Sequence, residues 1–300
     1  MEIVPFAEEH VDAAAELLAA RHKRHREHEP LLPDGVDFRA QVEREWTVEG
    51  ASGVISPHGY LFGAPGRHGW FSVGIAGHAV AGEPEHARDL YAAAAGKWVE
   101  AGHSSQMVFV PASDRDLVDA WFRLSFGASG VLALRETAAD EPFDAGIEIR
   151  QGTRHDYPEA ARLELEMARS MQPSPSFSGI ELPSAEELLR EEWLDGDDAE
   201  IELFLAERDD RVVGHIVLYR RPPDLRVRPG SIDLAQASTE PVARGTGVGR
   251  ALTAHVIRWA YEQGYEVMTT DWRMTNLWAS RFWPKRGFRP AFLRLYRSIP

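Results

Sequence analysis

The chain has 300 residues and no cysteine, which rules out disulfides, thiolate metal sites and a cysteine nucleophile. Its net charge of −14 is uneven, with 12 Lys+Arg against 23 Asp+Glu in residues 1–145 and 21 against 24 in residues 146–300. That balance argues against nucleic-acid binding, which needs a basic face, and fits a soluble chain or one that attracts a cationic substrate.

The N-terminus, MEIVPFAEEH, is acidic and has no long apolar run, so it reads as neither a signal nor a transit peptide. No window holds 18 uninterrupted apolar residues, so no membrane span is expected and the cytoplasm is the expected location. Ile3–Leu17 reads as a short strand, a polar turn and an amphipathic helix. RHKRHREHEP follows at 21–30, with His22, His25 and His28 at i, i+3 and i+6. A metal site there would be opposed by the neighbouring Lys and Arg, so a solvated helix end is expected and no metal is assigned. Trp46, Tyr60, Phe62, Trp70 and Phe71 read as core, or as the wall of an acceptor pocket at a domain junction.

Ile149–Leu163 repeats the opening pattern at an offset of 146 residues. Farther along the offset becomes 162, placing Leu90 on Leu252, Gly102 on Gly264, Asp114 on Asn276, Trp121 on Trp283 and Phe126 on Phe288. These matches predict a duplicated domain, divided as 1–140 and 146–300 by an acidic linker, ETAADEPFDAG, at 136–146. The Pro/Ser-rich stretch 171–184 accommodates about 16 additional residues of the second copy as a loop.

In the second copy a strand is expected at 147–150, a helix at 155–170 and a short helix at 185–193. Strands follow at 201–207, 211–220 and 231–239. Next come a glycine loop, a helix at 247–263, a strand at Glu266–Asp271, a helix at Asn276–Lys285 and a last strand at Phe288–Ile299. The fold class is mixed α/β (α+β), each copy having a mixed, mostly antiparallel central sheet flanked by helices.

The glycine loop is VARGTGVGRAL, 242–252. A dinucleotide fingerprint needs GxGxxG early in its fold with an acidic residue about 20 positions on, and a P-loop needs GxxxxGK[ST]. Gly245, Gly247 and Gly249 fit neither spacing. They do bare backbone N–H groups at a helix start, with Arg244 and Arg250 beside them, which suits an anion such as a phosphate.

Arg244-Gly245-Thr246-Gly247-Val248-Gly249, with Pro241 upstream, resembles the pyrophosphate loop of the GNAT superfamily of N-acetyltransferases. A second landmark lies 32 residues on, where Asn276, Ala279, Phe282, Trp283, Gly287 and Phe288 fit the family's pattern. The resemblance covers most of 147–300. It implies that acetyl-CoA is the acyl donor, with its pyrophosphate on residues 244–249, Arg250 alongside, its pantetheine arm on Ala237, Ser238 and Thr239, and its thiol end near Asn276 and Trp283. It also implies transfer of the acetyl group to a small-molecule amine by direct attack.

In the first copy, Gly82, Glu83, Pro84 and Glu85 stand at the place of the loop. Two carboxylates and a proline that lacks an N–H make this copy resemble a GNAT domain without its cofactor site.

For the general base, the family's position falls on Asp233, whose other reading is a strand-end carboxylate in solvent. Glu240, otherwise an exposed loop residue, and Asp271 are further candidates. The family's usual acid is a tyrosine where this chain has Trp283, and an indole N–H is no proton donor to a thiolate. Tyr296 is the substitute candidate, or else a packing residue. Three functions remain open: amine acetylation, a non-catalytic acyl-CoA-binding module, and transfer of another acyl group or to a hydroxyl. The chain is expected to act as a monomer or homodimer.

Overall fold

A computed structural model of the chain describes residues 2–66, 69–139, 146–178, 182–194 and 201–300. The chain forms two compact units: Met1–Leu132 with Pro223–Arg228 and Pro290–Pro300, and Ala133–Pro222 with Pro229–Arg289. Neither is one contiguous segment, because residues 223–228 and the last strand of the chain belong to the first unit.

The first unit opens with β1 (Val4–Pro5), α1 (Val11–His28) and α2 (Phe38–Trp46). The strands β2 (Ser52–Ser56), β3 (Gly59–Pro65), β4 (Phe71–Val73) and β5 (His78–Val80) follow. Next are α3 (His86–Glu100), β6 (Ser105–Pro111), α4 (Arg115–Phe122) and β7 (Gly127–Glu136), whose last residues pass into the second unit. β2 pairs antiparallel with β1 and β3, β4 runs parallel to β6, and the far side of β6 pairs antiparallel with the C-terminal strand. Leu90, Ala94 and Trp98 of α3 pack with Val108, Val110, Trp121 and Phe126 in the core.

Here the histidine-rich helix departs from expectation. His22 and His25 are buried, and only His28 lies at the surface. The His22 ring contacts the Pro33 carbonyl oxygen at 2.8 Å, and His25 packs edge-on against Phe292. Their i, i+3 spacing puts both on the inward stripe of α1 beside Leu18, so packing and not solvation decides their place.

The second unit contains β8 (Glu148–Gln151), α5 (Tyr157–Met171), α6 (Ala185–Leu188) and a π-helical turn at Leu189–Leu194. β9 (Ile201–Arg208), β10 (Arg211–Tyr219) and β11 (Ser231–Thr239) come next. Then follow α7 (Val248–Glu262), β12 (Val267–Arg273) and α8 (Leu277–Phe282). The closing strand, β13 (Arg289–Ser298), pairs with β6. β8, β9, β10 and β11 form an antiparallel ladder, and β12 lies parallel to β11. The mixed, mostly antiparallel sheet flanked by helices is therefore present.

The duplication is visible element by element. α3 and α7, β6 and β12, and β7 and β13 all stand 162 residues apart. Asp114 and Asn276 each cap the helix that follows with a side-chain oxygen. Trp121 meets Phe126 edge-on as Trp283 meets Phe288, at 4.9 and 5.4 Å between centroids.

Candidate functional site

The site grows from an interruption in the sheet. β11 pairs with β10 along its length, but with β12 only over Ser231–Leu234. An irregularity opposite Val217/Leu218 inserts an extra residue in β11, bending it away from β12. The half 235–239 therefore has an open edge. Glu240 donates its N–H to the Val213 carbonyl on β10 at 2.9 Å. Strand alternation then turns the N–H groups of Ala237 and Thr239 toward the open edge.

The chain leaves β11 through Pro241 and enters α7 through the glycine loop. Gly245 and Gly247 take positive φ, 78° and 97°, where a side chain would be strained. Gly247 caps α7, and its carbonyl accepts the first ladder bond, from Ala251, at 2.9 Å. The N–H groups of Val248 and Gly249 precede that first bond, and the first turn of α7 carries the positive end of the helix dipole. A Cβ on Gly249 would come within 3.5 Å of Thr239 Oγ1 and 3.7 Å of Phe282, so glycine keeps the passage wide.

These elements enclose a groove of about 570 Å³ within the second unit. Its walls carry the loop residues, Ala237–Thr239 of β11, Asn276, Trp278 and Phe282 of α8, and Arg286. Asn276 Oδ1 accepts the N–H groups of Trp278 and Ala279 at 3.2 Å each, fixing the start of α8. The Arg286 pKa is lowered by burial and by the nearby Arg250 charge. Two cations held against each other and against desolvation favour a bound anion between them. Glycine-bared amides, a helix N-terminus and paired arginines fit a pyrophosphate at one end of the groove, and the open strand edge fits an amide-bearing arm at the other.

The structure brings together Ala237, Ser238, Thr239, Arg244, Gly245, Thr246, Gly247, Gly249, Arg250, Asn276 and Trp283 as groove lining. Val248 is buried beneath the loop. The acid and base candidates lie elsewhere. Asp233 is buried in the half of β11 that pairs with β12, and there it binds Arg221 and Thr269. Glu240 is buried against Arg162, with 2.8 Å between Oε1 and Nη1. Neither is the solvent-exposed carboxylate of the alternative readings. Asp271 is exposed on β12. Tyr296 belongs to the first unit, where its hydroxyl lies 3.3 Å from Ser105 Oγ and its ring packs on Trp70.

His215 is the residue that pattern reading missed. It stands in the middle of β10, fully buried, and the groove reaches it together with Met167 and Ser170 of α5. No motif marks it, because a histidine in an apolar strand reads as core.

The first unit shows what its copy of the site became. At the 162-residue offset β11 corresponds to residues 69–77, which hold β4 and the turn before β5, and the backbone of that turn is tied down by side chains. Arg21 donates to the carbonyls of Ile75 and His78 at 2.6 and 2.5 Å, and Tyr60 Oη donates to that of Ala76 at 2.6 Å. The Ala76 N–H donates to Glu45 at 3.0 Å. Glu85, at the start of α3, bridges to Arg88 and Arg123. Backbone that a ligand would meet in the second unit is here occupied by the protein itself.

The acetyltransferase (GNAT) family model matches residues 165–288. No curated protein matches the chain. The fold is similar to a GCN5-related N-acetyltransferase from Sphaerobacter thermophilus, at a TM-score of 0.64 and 16% identity, covering 99% of this chain and 95% of that one. It is also similar to a tandem GNAT protein from the clavulanic acid biosynthesis pathway, at a TM-score of 0.55 and 14% identity, covering 99% and 98%. Residues 165–288 thus match the acetyltransferase (GNAT) family, and the chain as a whole shares the fold of these two structures.

Proposed function

We propose that the protein is an acetyl-CoA-dependent N-acetyltransferase acting on the amine of a small molecule by direct attack in a ternary complex. The observation that carries this reading is the single groove joining the glycine loop to the open half of β11. The amides of residues 245–250, with Arg244 and Arg250, hold the donor's pyrophosphate, and Ala237 and Thr239 hydrogen-bond its pantetheine arm. Binding places the thioester near Asn276 and Trp283, where the amine meets its carbonyl carbon from the α5 side, past Met167 and Ser170. Holding both reactants in one cleft supplies much of the rate by proximity. The acidic chain has no helix among its described residues that is long and apolar enough to cross a membrane. The reading places it in the cytoplasm, as a monomer or homodimer, without nucleic-acid or membrane partners.

Thiol release from acetyl-CoA with a panel of amines tests the proposal, and the absence of cysteine keeps the readout free of protein thiol. No release with any amine class overturns it. Trp283 at the usual place of the acid, and the ion-paired state of Asp233 and Glu240, favour a second reading as a non-catalytic acyl-CoA-binding module. Binding of acetyl-CoA without turnover would select that reading. Thermal shifts compared across acyl-CoAs of different chain length, and hydroxyl acceptors in the panel, test for another acyl group or acceptor.

A further inference from the structure

Amide formation sheds a proton from the acceptor nitrogen, and the departing sulphur needs one. Among the described residues lining the groove there is no Asp, Glu, Lys or Tyr. The ionisable lining side chains are Arg244, Arg250, Arg286 and His215. A guanidinium in a protein does not exchange its proton at working pH. His215 alone among them can accept and return one.

Its surroundings are built for this. His215 faces Ser238 across the β10–β11 ladder, and Val217 faces Gln236, so all four side chains share the face covered by α5. Ser238 Oγ donates to the Leu163 carbonyl at 2.9 Å. Gln236 Nε2 donates to Glu164 Oε1 at 2.8 Å, and Glu164 Oε2 accepts from Trp193 at 3.1 Å. These donors are committed to α5 and the turn beyond it. Neither His215 Nδ1 nor Nε2 makes a hydrogen bond of good geometry within the protein, nor does Gln236 Oε1, although the Gln236 side chain lies close enough to act on the ring. Buried polar atoms are almost always paired, and Gln236 Oε1 can accept from one ring nitrogen at most, so the other nitrogen calls for a partner from the groove itself.

We infer that His215 is the proton carrier of the transfer, taking the proton from the acceptor nitrogen and delivering it to the departing sulphur. The inference rests on the acyl-transfer reading. The acceptor nitrogen bonds to the acyl carbon while the carbonyl π pair moves onto oxygen. The N–H proton passes to the unprotonated nitrogen of His215. When the carbonyl re-forms, the C–S bond breaks with its electron pair on sulphur, and the imidazolium gives its proton to that sulphur. The ring ends neutral, and the sum is amide plus thiol.

The ring's basicity suits both halves of this cycle. Burial pushes the His215 pKa down to about 4, the Arg162 charge acts in the same direction, and Gln236 opposes them. A base this weak does not strip a free ammonium. It takes the proton only after the nitrogen has bonded to carbon and become acidic, and its conjugate acid is then a ready donor. The acceptor must therefore arrive as a neutral amine. This removes the need for a tyrosine at position 283.

The test is His215→Gln and His215→Asn, measured for kcat, KM of both substrates, and acetyl-CoA binding by calorimetry. Loss of a positioned proton carrier lowers kcat by about 10²-fold or more, while acetyl-CoA binding stays within about threefold of wild type. Imidazole added to His215→Ala is expected to recover activity in proportion to the basicity of the imidazole used. A kcat within about threefold of wild type in variants that still bind acetyl-CoA overturns the inference, as does a parallel loss of binding and kcat without rescue. Should the variants not fold, wild-type kcat against pH decides. A flat profile from about pH 6 to 9 supports His215, and a tenfold rise per unit across that range overturns it. Failure of the wild-type protein to bind acetyl-CoA at all would instead remove the acyl-transfer reading, and the inference with it.

Discussion

Arg221 holds Asp233 by a 2.6 Å bond from Nε to Oδ2, and Thr269 Oγ1 donates to the other carboxylate oxygen at 2.5 Å. Both oxygens of the carboxylate that the family pattern marks as base are thereby taken up, one by Thr269 of β12 and the other by Arg221 just beyond β10. Asp233→Ala is expected to lower stability by about 1–3 kcal/mol, since it strands Thr269 and Arg221. The kcat of the folded fraction should stay within a few-fold of wild type. Thermal unfolding run alongside steady-state kinetics checks this. A large loss of kcat at an unchanged melting temperature would return Asp233 to the chemistry.

The glycine loop makes a different demand. Gly247 caps α7 at φ 97°. Gly247→Ala forces an L-residue into the left-handed region at a cost of about 1–2 kcal/mol and rotates the amides that face the groove. Acetyl-CoA affinity is expected to fall about tenfold or more, a loss of at least about 1.4 kcal/mol of binding, measurable by calorimetry. Gly82→Ala in the first unit, also at positive φ, should cost similar stability and leave acetyl-CoA affinity unchanged.

Asn276 both caps α8 and lines the groove. Asn276→Ala removes an oxygen that accepts two N–H groups and should cost about 1 kcal/mol. Asn276→Asp keeps the cap but sets a negative charge in the groove wall. Comparison of melting temperature and acetyl-CoA Kd for the two separates the roles: alanine lowers the melting temperature and raises the Kd, while aspartate spares stability and raises the Kd alone.

Glu45 predicts a pH dependence of stability in the first unit. Burial raises its pKa to about 7, against the Ala76 N–H and the Arg21 and Arg44 charges that lower it, and Asp224 adds to the rise. The folded state therefore holds a proton that the unfolded chain has released, so this group's contribution is full below the ordinary carboxylate pKa and declines as pH climbs to about 7. Buried His25 and His78, lowered to about 3, act oppositely and withdraw stability below about pH 6.5. Glu45→Gln should gain melting temperature relative to wild type as pH rises from about 5 to 8. An unchanging difference between the two proteins across that range would refute it.

How much of this was legible in the order of residues depends on how local the physics is. The glycine spacing at 245, 247 and 249, the cap at Asn276 and the 162-residue repeat are short-range features. Backbone conformation at a turn and side-chain periodicity along a helix depend on near neighbours, so these could be read directly. The long helix expected at Asn276–Lys285 stops at Phe282, because Pro284 ends it and a 3-10 turn follows.

What tertiary structure alone decided concerns partners far apart in the chain. Nothing near Pro290 says that the last strand pairs with β6, since strand pairing is a choice among distant edges. Asp233 meets Arg221 across a turn and Thr269 across a strand crossover, and only the folded sheet turns a candidate base into an ion pair. His25 reads as a surface cation from RHKRHREH, yet the inward stripe of α1 buries it. A histidine in HIVLY reads as core, yet the folded sheet sets the His215 ring beside a groove. The sequence by itself determined which backbone could meet a phosphate. Burial and pairing, which are properties of the packed chain, decided which side chains remain free to do chemistry beside it.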